Sequence, residues 1–196
     1  MSGLLLKDLL NLKHQGRIYL LIIAVYAVLA FFQQDASFLA WIMVFLSMMS
    51  VVNAMAYDEN ARWDRYALTM PVTRRDMVLS KYLLSLICLG VSGAAALAAS
   101  LAFGASPDDA WRQGAMLLGG GVGYLSLILP LMFRLGVQKA RVAMTLAFVI
   151  PLLLVVRLNP DAAALSAAAW MLPAAAPVLL AASASLSCRF YARRSF

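Results

Sequence analysis

The chain has 196 residues, 64% of them hydrophobic and 13% charged, with a formal net charge of +7. A soluble domain is about 45–50% apolar and about 25% charged, so a chain this apolar takes lipid rather than water as its main solvent. The basic residues sit in short clusters between apolar runs, with no basic face interleaved with aromatics, which points to the lipid bilayer as partner and away from nucleic acid.

The chain opens on a mixed stretch, 2–17. Leu5, Leu9 and Leu12 keep helical spacing, as do Leu6 and Leu10, while Lys7, Asp8, Asn11, Lys13 and His14 are polar. This predicts an amphipathic helix lying in the inner membrane interface. The alternative is a plain extension of the first span into water. The apolar run that follows ends in Gln33-Gln34-Asp35 without a small-x-small cleavage site, so it reads as a first span and not as a signal peptide.

Six segments are long and apolar enough to cross the hydrocarbon core: 17–33, 37–57, 82–104, 111–133, 140–158 and 173–190. The expected fold is all-α, a polytopic membrane protein forming one transmembrane domain over 1–196. With the N-terminus inside, fourteen of the sixteen Lys and Arg fall on the cytoplasmic side, and only Arg112 and Arg157 fall outside. That bias places both termini in the cytoplasm.

Between spans two and three lies the one sizeable cytoplasmic loop, 58–81. Asp58 and Glu59 suit a helix N-terminus, Pro71 stops that helix, and Thr73 with Asp76 forms a capping-box pattern for the next. The loop therefore reads as a short charged helix, a turn and a helix start. Trp63 and Tyr66, beside Arg62 and Arg65, are residue types found at binding hot spots. Their alternative role is as belt anchors at the membrane surface. Before the last span, 159–172 opens with Asn159-Pro160-Asp161 and continues Ala-rich to Pro173. It reads either as a short re-entrant element or as part of a long helix kinked by its prolines.

The residues that carry chemistry are sparse. Gly119-Gly120-Gly121-Val122-Gly123 has no Lys-Ser or Lys-Thr after it and matches no phosphate loop. Gly119 and Gly123 form a GxxxG pair suited to close helix packing, and the stretch also suits bending, with Pro130 and Pro151 as further kink sites. Cys88 and Cys188 lie far apart in apolar surroundings, and His14 is the single histidine, so no metal site is expected. No catalytic residues are expected, and the spans carry no ionisable relay of the kind that drives coupled carriers. Asn53 is the clearest polar side chain deep in a span. Met48 and Met49 beside it line either an adaptable apolar pathway or a lipid-facing surface.

A pump without a motor needs a partner, and the loop after span two carries a resemblance that names one. Tyr57-Asp58-Glu59, then Trp63-Asp64-Arg65-Tyr66-Ala67-Leu68-Thr69-Met70-Pro71-Val72-Thr73-Arg74, then Lys81-Tyr82, resembles the ATP-binding-cassette type-2 transporter permeases. The similarity is greatest to a small six-span subfamily that includes bacterial exporters of cytolytic amphipathic peptides. The resemblance implies a permease in the cytoplasmic membrane, working as a pair, most simply a homodimer, with two copies of an ATPase subunit that binds ATP and Mg. The permease itself then binds no cofactor. It further implies that Asp58, Glu59, Asn60, Arg62, Trp63, Asp64 and Tyr66 form the coupling helix that docks on the ATPase. It also implies an external element before span six, which favours the re-entrant reading of 159–172.

The charge-poor, Met-rich spans suit an amphipathic or lipophilic cargo, such as a peptide, an antibiotic or a lipid-like molecule. The competing reading is a non-transporting membrane protein, an immunity or scaffold factor that sequesters a partner and needs no structured loop.

Overall fold

The computed structural model describes residues 2–67, 69, 73–158 and 162–192, and their side chains except at 2, 14, 64, 65, 147, 148, 150–158, 162–170, 172 and 192. Among the described residues the chain forms seven helices: α1 Ser2–Gln33, α2 Ser37–Asn60, α3 Trp63–Ala67, α4 Arg74–Ala102, α5 Pro107–Leu135, α6 Val137–Leu158 and α7 Ala162–Ala192. Five of them contain stretches long and apolar enough to cross a membrane: Gln15–Gln33, Ser37–Asn60, Arg74–Ala102, Pro107–Leu135 and Pro173–Tyr191. The sixth expected span, 140–158, falls on α6, whose side chains beyond 149 lie outside the described residues.

The N-terminal segment corrects the sequence reading. It is no separate interfacial helix; residues 2–17 and the first span are one continuous helix, α1. Nothing between Leu12 and Ile18 breaks it, since a lone Gly16 costs a helix only about 1 kcal/mol relative to Ala. Lys13 on its polar face is exposed, but the start of that face is not turned to water. Lys7 and Asp8 instead meet the ends of α2 and α4, while Leu6, Leu9 and Leu10 point outward.

Local sequence explains most of the helix ends. Asp35 accepts from the Ser37 backbone N–H at 2.8 Å just before α2. Those Ser37 hydrogen bonds hold the Asp35 carboxyl below its usual range. The Thr73–Asp76 capping box forms at the start of α4. Ser106 caps α5 ahead of Pro107, and Asp108 and Asp109 sit in the first turn, where the helix dipole favours them. α5 ends at Gly136, whose φ of 84° lies in the left-handed region that favours glycine.

The loop helix starts later than expected. Asp58 and Glu59 do not open it; they lie in the last turn of α2, where the dipole alone disfavours acids. External cations and a second helix compensate, as described below. Arg62 then adopts φ 49°, a left-handed residue between α2 and α3. Leu68, Met70, Pro71 and Val72 of the loop lie outside the described residues.

α5 forms the centre of the bundle, with one buried face running from Ala110 to Phe133. A Cβ at Gly119 would meet the Pro173 backbone at 2.7 Å, so the bare glycine is what lets α5 and α7 approach this closely. Gly123 is buried further along the same helix. The Tyr82 hydroxyl sits 2.6 Å from that of Ser183 and 2.8 Å from that of Ser187, tying α4 to α7. Residues 159–161 lie outside the described residues. Residues 162–172 are helical and continuous with α7, through Pro173 and Pro177, with no chain reversal between Ala162 and Ala192.

Candidate functional site

Three features gather the chemistry, and two of them sit at one end of the bundle. The first is a buried ion cluster that joins three helices. Lys81 of α4 reaches Asp8 of α1 at 2.7 Å and Asp58 of α2 at 2.5 Å. Lys7 of α1 bridges the same two carboxylates, at 3.1 Å to Asp8 and 2.5 Å to Asp58. Two acids and two bases cancel, which is the condition for burying charge at all. The Asp8 side chain is 1% exposed and that of Lys81 10%. The Lys7 ammonium also lies 4.4 Å from the centre of the Trp63 ring, a cation–π contact that ties α3 to the cluster. The space beside these groups is only about 40 Å³, so the cluster is packed structure and has no room for a cargo.

The second feature is the α2–α3 corner. Glu59 accepts a hydrogen bond from the Val137 N–H, placing a carboxylate on the N-terminus of α6. A Cβ at Gly136 would come within 2.8 Å of the Glu59 carboxylate, the movable end of a flexible side chain, so it is the φ of 84° that calls for glycine there. Trp63 is half-buried and packs at a tilt against Tyr66, with ring centres 5.4 Å apart, and Ala67 is fully buried. Asn60, Arg62 and Tyr66 are exposed at the corner, as are Ala61 and Glu59, the latter while it accepts from Val137.

The structure thus divides the residues assigned to ATPase docking. Asp58 is bound in the ion cluster, Glu59 caps α6, and Trp63 is a half-buried anchor rather than an exposed one. Asn60, Arg62 and Tyr66 face outward, and the side chain of Asp64 lies outside the described residues.

The third feature is a cavity of about 770 Å³ between α2, α5 and α6. Met48, Met49 and Asn53, which the sequence marked as candidate pathway residues, all line it, and Met116 and Met144 join them from α5 and α6. Its walls are otherwise largely apolar, with Trp41 and Phe45 among them. Asn53 anchors its polar corner. The Asn53 amide nitrogen donates to the Tyr19 hydroxyl at 3.1 Å and to Gln15 at 3.4 Å, while its oxygen accepts from Arg141 at 3.1 Å.

Sequence reasoning missed four of these side chains. Lys7, Asp8 and Lys81 were read as interfacial or loop charges, and Arg141 as a loop charge of the positive-inside count. The available signal was an acid inside a Leu-rich helical face, where an uncompensated carboxylate is costly. Nothing in one sequence shows that Arg141, one turn into its helix, reaches Asn53 eighty-eight positions away.

A bundle of membrane-length apolar helices, with its charges neutralised at one end and an apolar cavity open along one side, defines a multi-pass membrane protein. The family model described as "ABC-2 family transporter protein" matches residues 3–192, and the chain belongs to that family. The family is one of ABC transporter permeases, which are not catalytic themselves and work with a separate ATPase subunit. No curated protein and no solved structure matches the chain significantly.

Proposed function

We propose that the chain is the permease of an ATP-driven exporter of amphipathic or lipophilic cargo. It works as a homodimer with two ATPase subunits, which bind the ATP and Mg. Six spans, α6 included, cross the cytoplasmic membrane, and the end carrying the ion cluster faces the cytoplasm with both termini. The observation that carries this reading is the apolar, Met-lined cavity bounded by α2. Flexible thioethers adapt to varied apolar shapes, and such walls suit a cargo that is itself apolar along much of its surface.

α2 supplies the mechanical link. It lines the cavity with Met48, Met49 and Asn53, then runs without a break to Asp58 and Asn60. At 1.5 Å per residue, about 18 Å of helix separates Met48 from Asn60. Asn60, Arg62 and Tyr66 form the docking surface, while Asp58, Glu59 and Trp63 hold it against α1, α4 and α6. A displacement of the docked ATPase therefore reaches the cavity wall through a rigid rod, shifting the bundle between two packings.

The test is copurification in mild detergent, followed by ATP-dependent uptake of a fluorescent amphipathic peptide into inverted vesicles. An ATPase subunit that copurifies with the wild type and is lost with the Asn60→Ala/Tyr66→Ala double variant, at unchanged thermal stability, supports the docking surface. A clean preparation without ATPase, in a detergent that preserves a control complex, overturns the transporter reading.

A further inference from the structure

The cavity between α2, α5 and α6 holds a guanidinium at its rim. Arg141 lies on α6 one turn beyond Val137 and borders the cavity. An arginine has five N–H donors. Among the described residues its side-chain partner is Asn53, whose oxygen accepts from Nη2 at 3.1 Å. Asn53 is neutral, so it supplies no counter-charge. The ion pairs among the described residues join Lys7 and Lys81 to Asp8 and Asp58, and none includes Arg141.

A permanent cation bordering an apolar space calls for an anion. The planar fork of a guanidinium matches a carboxylate or phosphate with two parallel hydrogen bonds. Tyr124 and Thr145 border the same wall, where the Thr145 hydroxyl donates to the Arg141 carbonyl at 3.0 Å. Away from Arg141 the lining turns apolar, through Met48, Phe45 and Trp41. From Asn53 to Trp41 the α2 wall extends about 18 Å at 1.5 Å per residue. The cavity therefore has one charged end and one long apolar arm.

We propose that this cavity is the binding site for a single-chain anionic amphiphile, with its carboxylate on Arg141 and its alkyl chain along α2 towards Trp41. This deepens the transporter reading, on which it rests for the transport step, by naming the cargo class. Arg141 and Asn53 lie towards the end of the bundle that carries Glu59 and Val137. The head group thus sits near the surface and the tail runs inward, as in one leaflet of a bilayer.

The test uses the purified full chain in phosphatidylcholine nanodiscs, with a photoactivatable palmitate, its alcohol analogue and its amine analogue as probes. Labelled residues are located by mass spectrometry. The acid is expected to label the cavity wall around Met48, Met116 and Met144 at least about tenfold more than the alcohol or the amine. Arg141→Met is expected to lose about tenfold of that labelling, and Arg141→Lys, which keeps the charge but not the two-pronged fork, to lose about threefold, with melting temperatures reporting that both fold. Equal labelling by acid, alcohol and amine, or no loss in a folded Arg141→Met, overturns the site. So does a Thr145→Cys variant that crosslinks efficiently to a second copy, because the cavity is then an interface between permeases.

Labelling needs no ATPase, so the two readings fail separately. Acid-selective labelling without any copurifying ATPase sinks the transporter reading alone. ATPase-dependent transport without acid selectivity sinks the anionic site alone.

Discussion

Lys81 donates to Asp8 across 2.7 Å in the interior of the bundle, joining two side chains that lie 73 positions apart. Neither is free to find water instead, since their side chains are 10% and 1% exposed. Lys7 and Asp58 complete the neutral set, so the first helix is fastened to the second and fourth through charge at a depth where apolar packing would otherwise dominate.

Asp8→Asn should destabilise the protein by about 3–5 kcal/mol, because two ammonium groups are then left facing one carboxylate. The double variant Asp8→Leu/Lys81→Met keeps the remaining Lys7–Asp58 pair neutral and should recover most of that loss. Thermal unfolding of the purified protein measures both. Equal melting of Asp8→Asn and wild type would show that the cluster carries no stability.

Asp58 and Glu59 are adjacent but should respond differently. Asp58→Lys places a third cation in the cluster and should abolish the folded yield. Glu59→Ala removes only the cap on α6 and should cost about 1 kcal/mol, with Glu59→Gln costing less because it keeps an acceptor. Monodisperse yield and melting temperature separate the two cases. A well-folded Asp58→Lys would return that residue to the proposed docking surface.

The central glycines offer a matched pair. Gly119→Ala drives a methyl into the Pro173 backbone and should cost about 1–3 kcal/mol by forcing α5 and α7 apart. Gly120→Ala meets nothing within 4 Å and should leave stability unchanged or raise it by up to about 1 kcal/mol. The comparison is a melting experiment on the two variants side by side. Identical shifts would show that the α5–α7 contact is looser than its geometry.

Arg62→Gly should melt no lower than the wild type, since glycine takes φ 49° without the cost of about 1 kcal/mol that a side chain carries there. Its effect should appear in the yield of copurified ATPase, because the substitution removes an exposed charge from the corner proposed to dock the ATPase. A lower melting temperature with full ATPase recovery would assign Arg62 to the fold instead.

Much of the architecture was legible in the chain because it rests on local rules. Hydrophobic runs marked the helices, Thr73 with Asp76 announced the start of α4, and the glycines of α5 announced close packing. The candidate site was less legible. Met48, Met49 and Asn53 were found because a polar side chain in a Met-rich helix stands out, but the helices that close the cavity around them, and Arg141, were not. The seven residues proposed for docking were read as one surface, although their neighbours in space make Asp58 and Glu59 hold the corner, Trp63 a half-buried anchor, and Asn60, Arg62 and Tyr66 outward-facing, with the Asp64 side chain outside the described residues.

Composition and periodicity by themselves determined that this protein lives in lipid as a set of long helices, because hydrogen-bond satisfaction in a bilayer leaves the backbone little choice. Tertiary structure alone decided what each charge is for. Lys7, Asp8, Asp58, Lys81 and Arg141 resemble ordinary interfacial charges when read along the chain. Their meaning depends on which opposite charge, helix terminus or cavity the folded bundle brings within a few ångströms, since Coulomb energy in a low-dielectric interior depends on distance and burial and not on sequence separation.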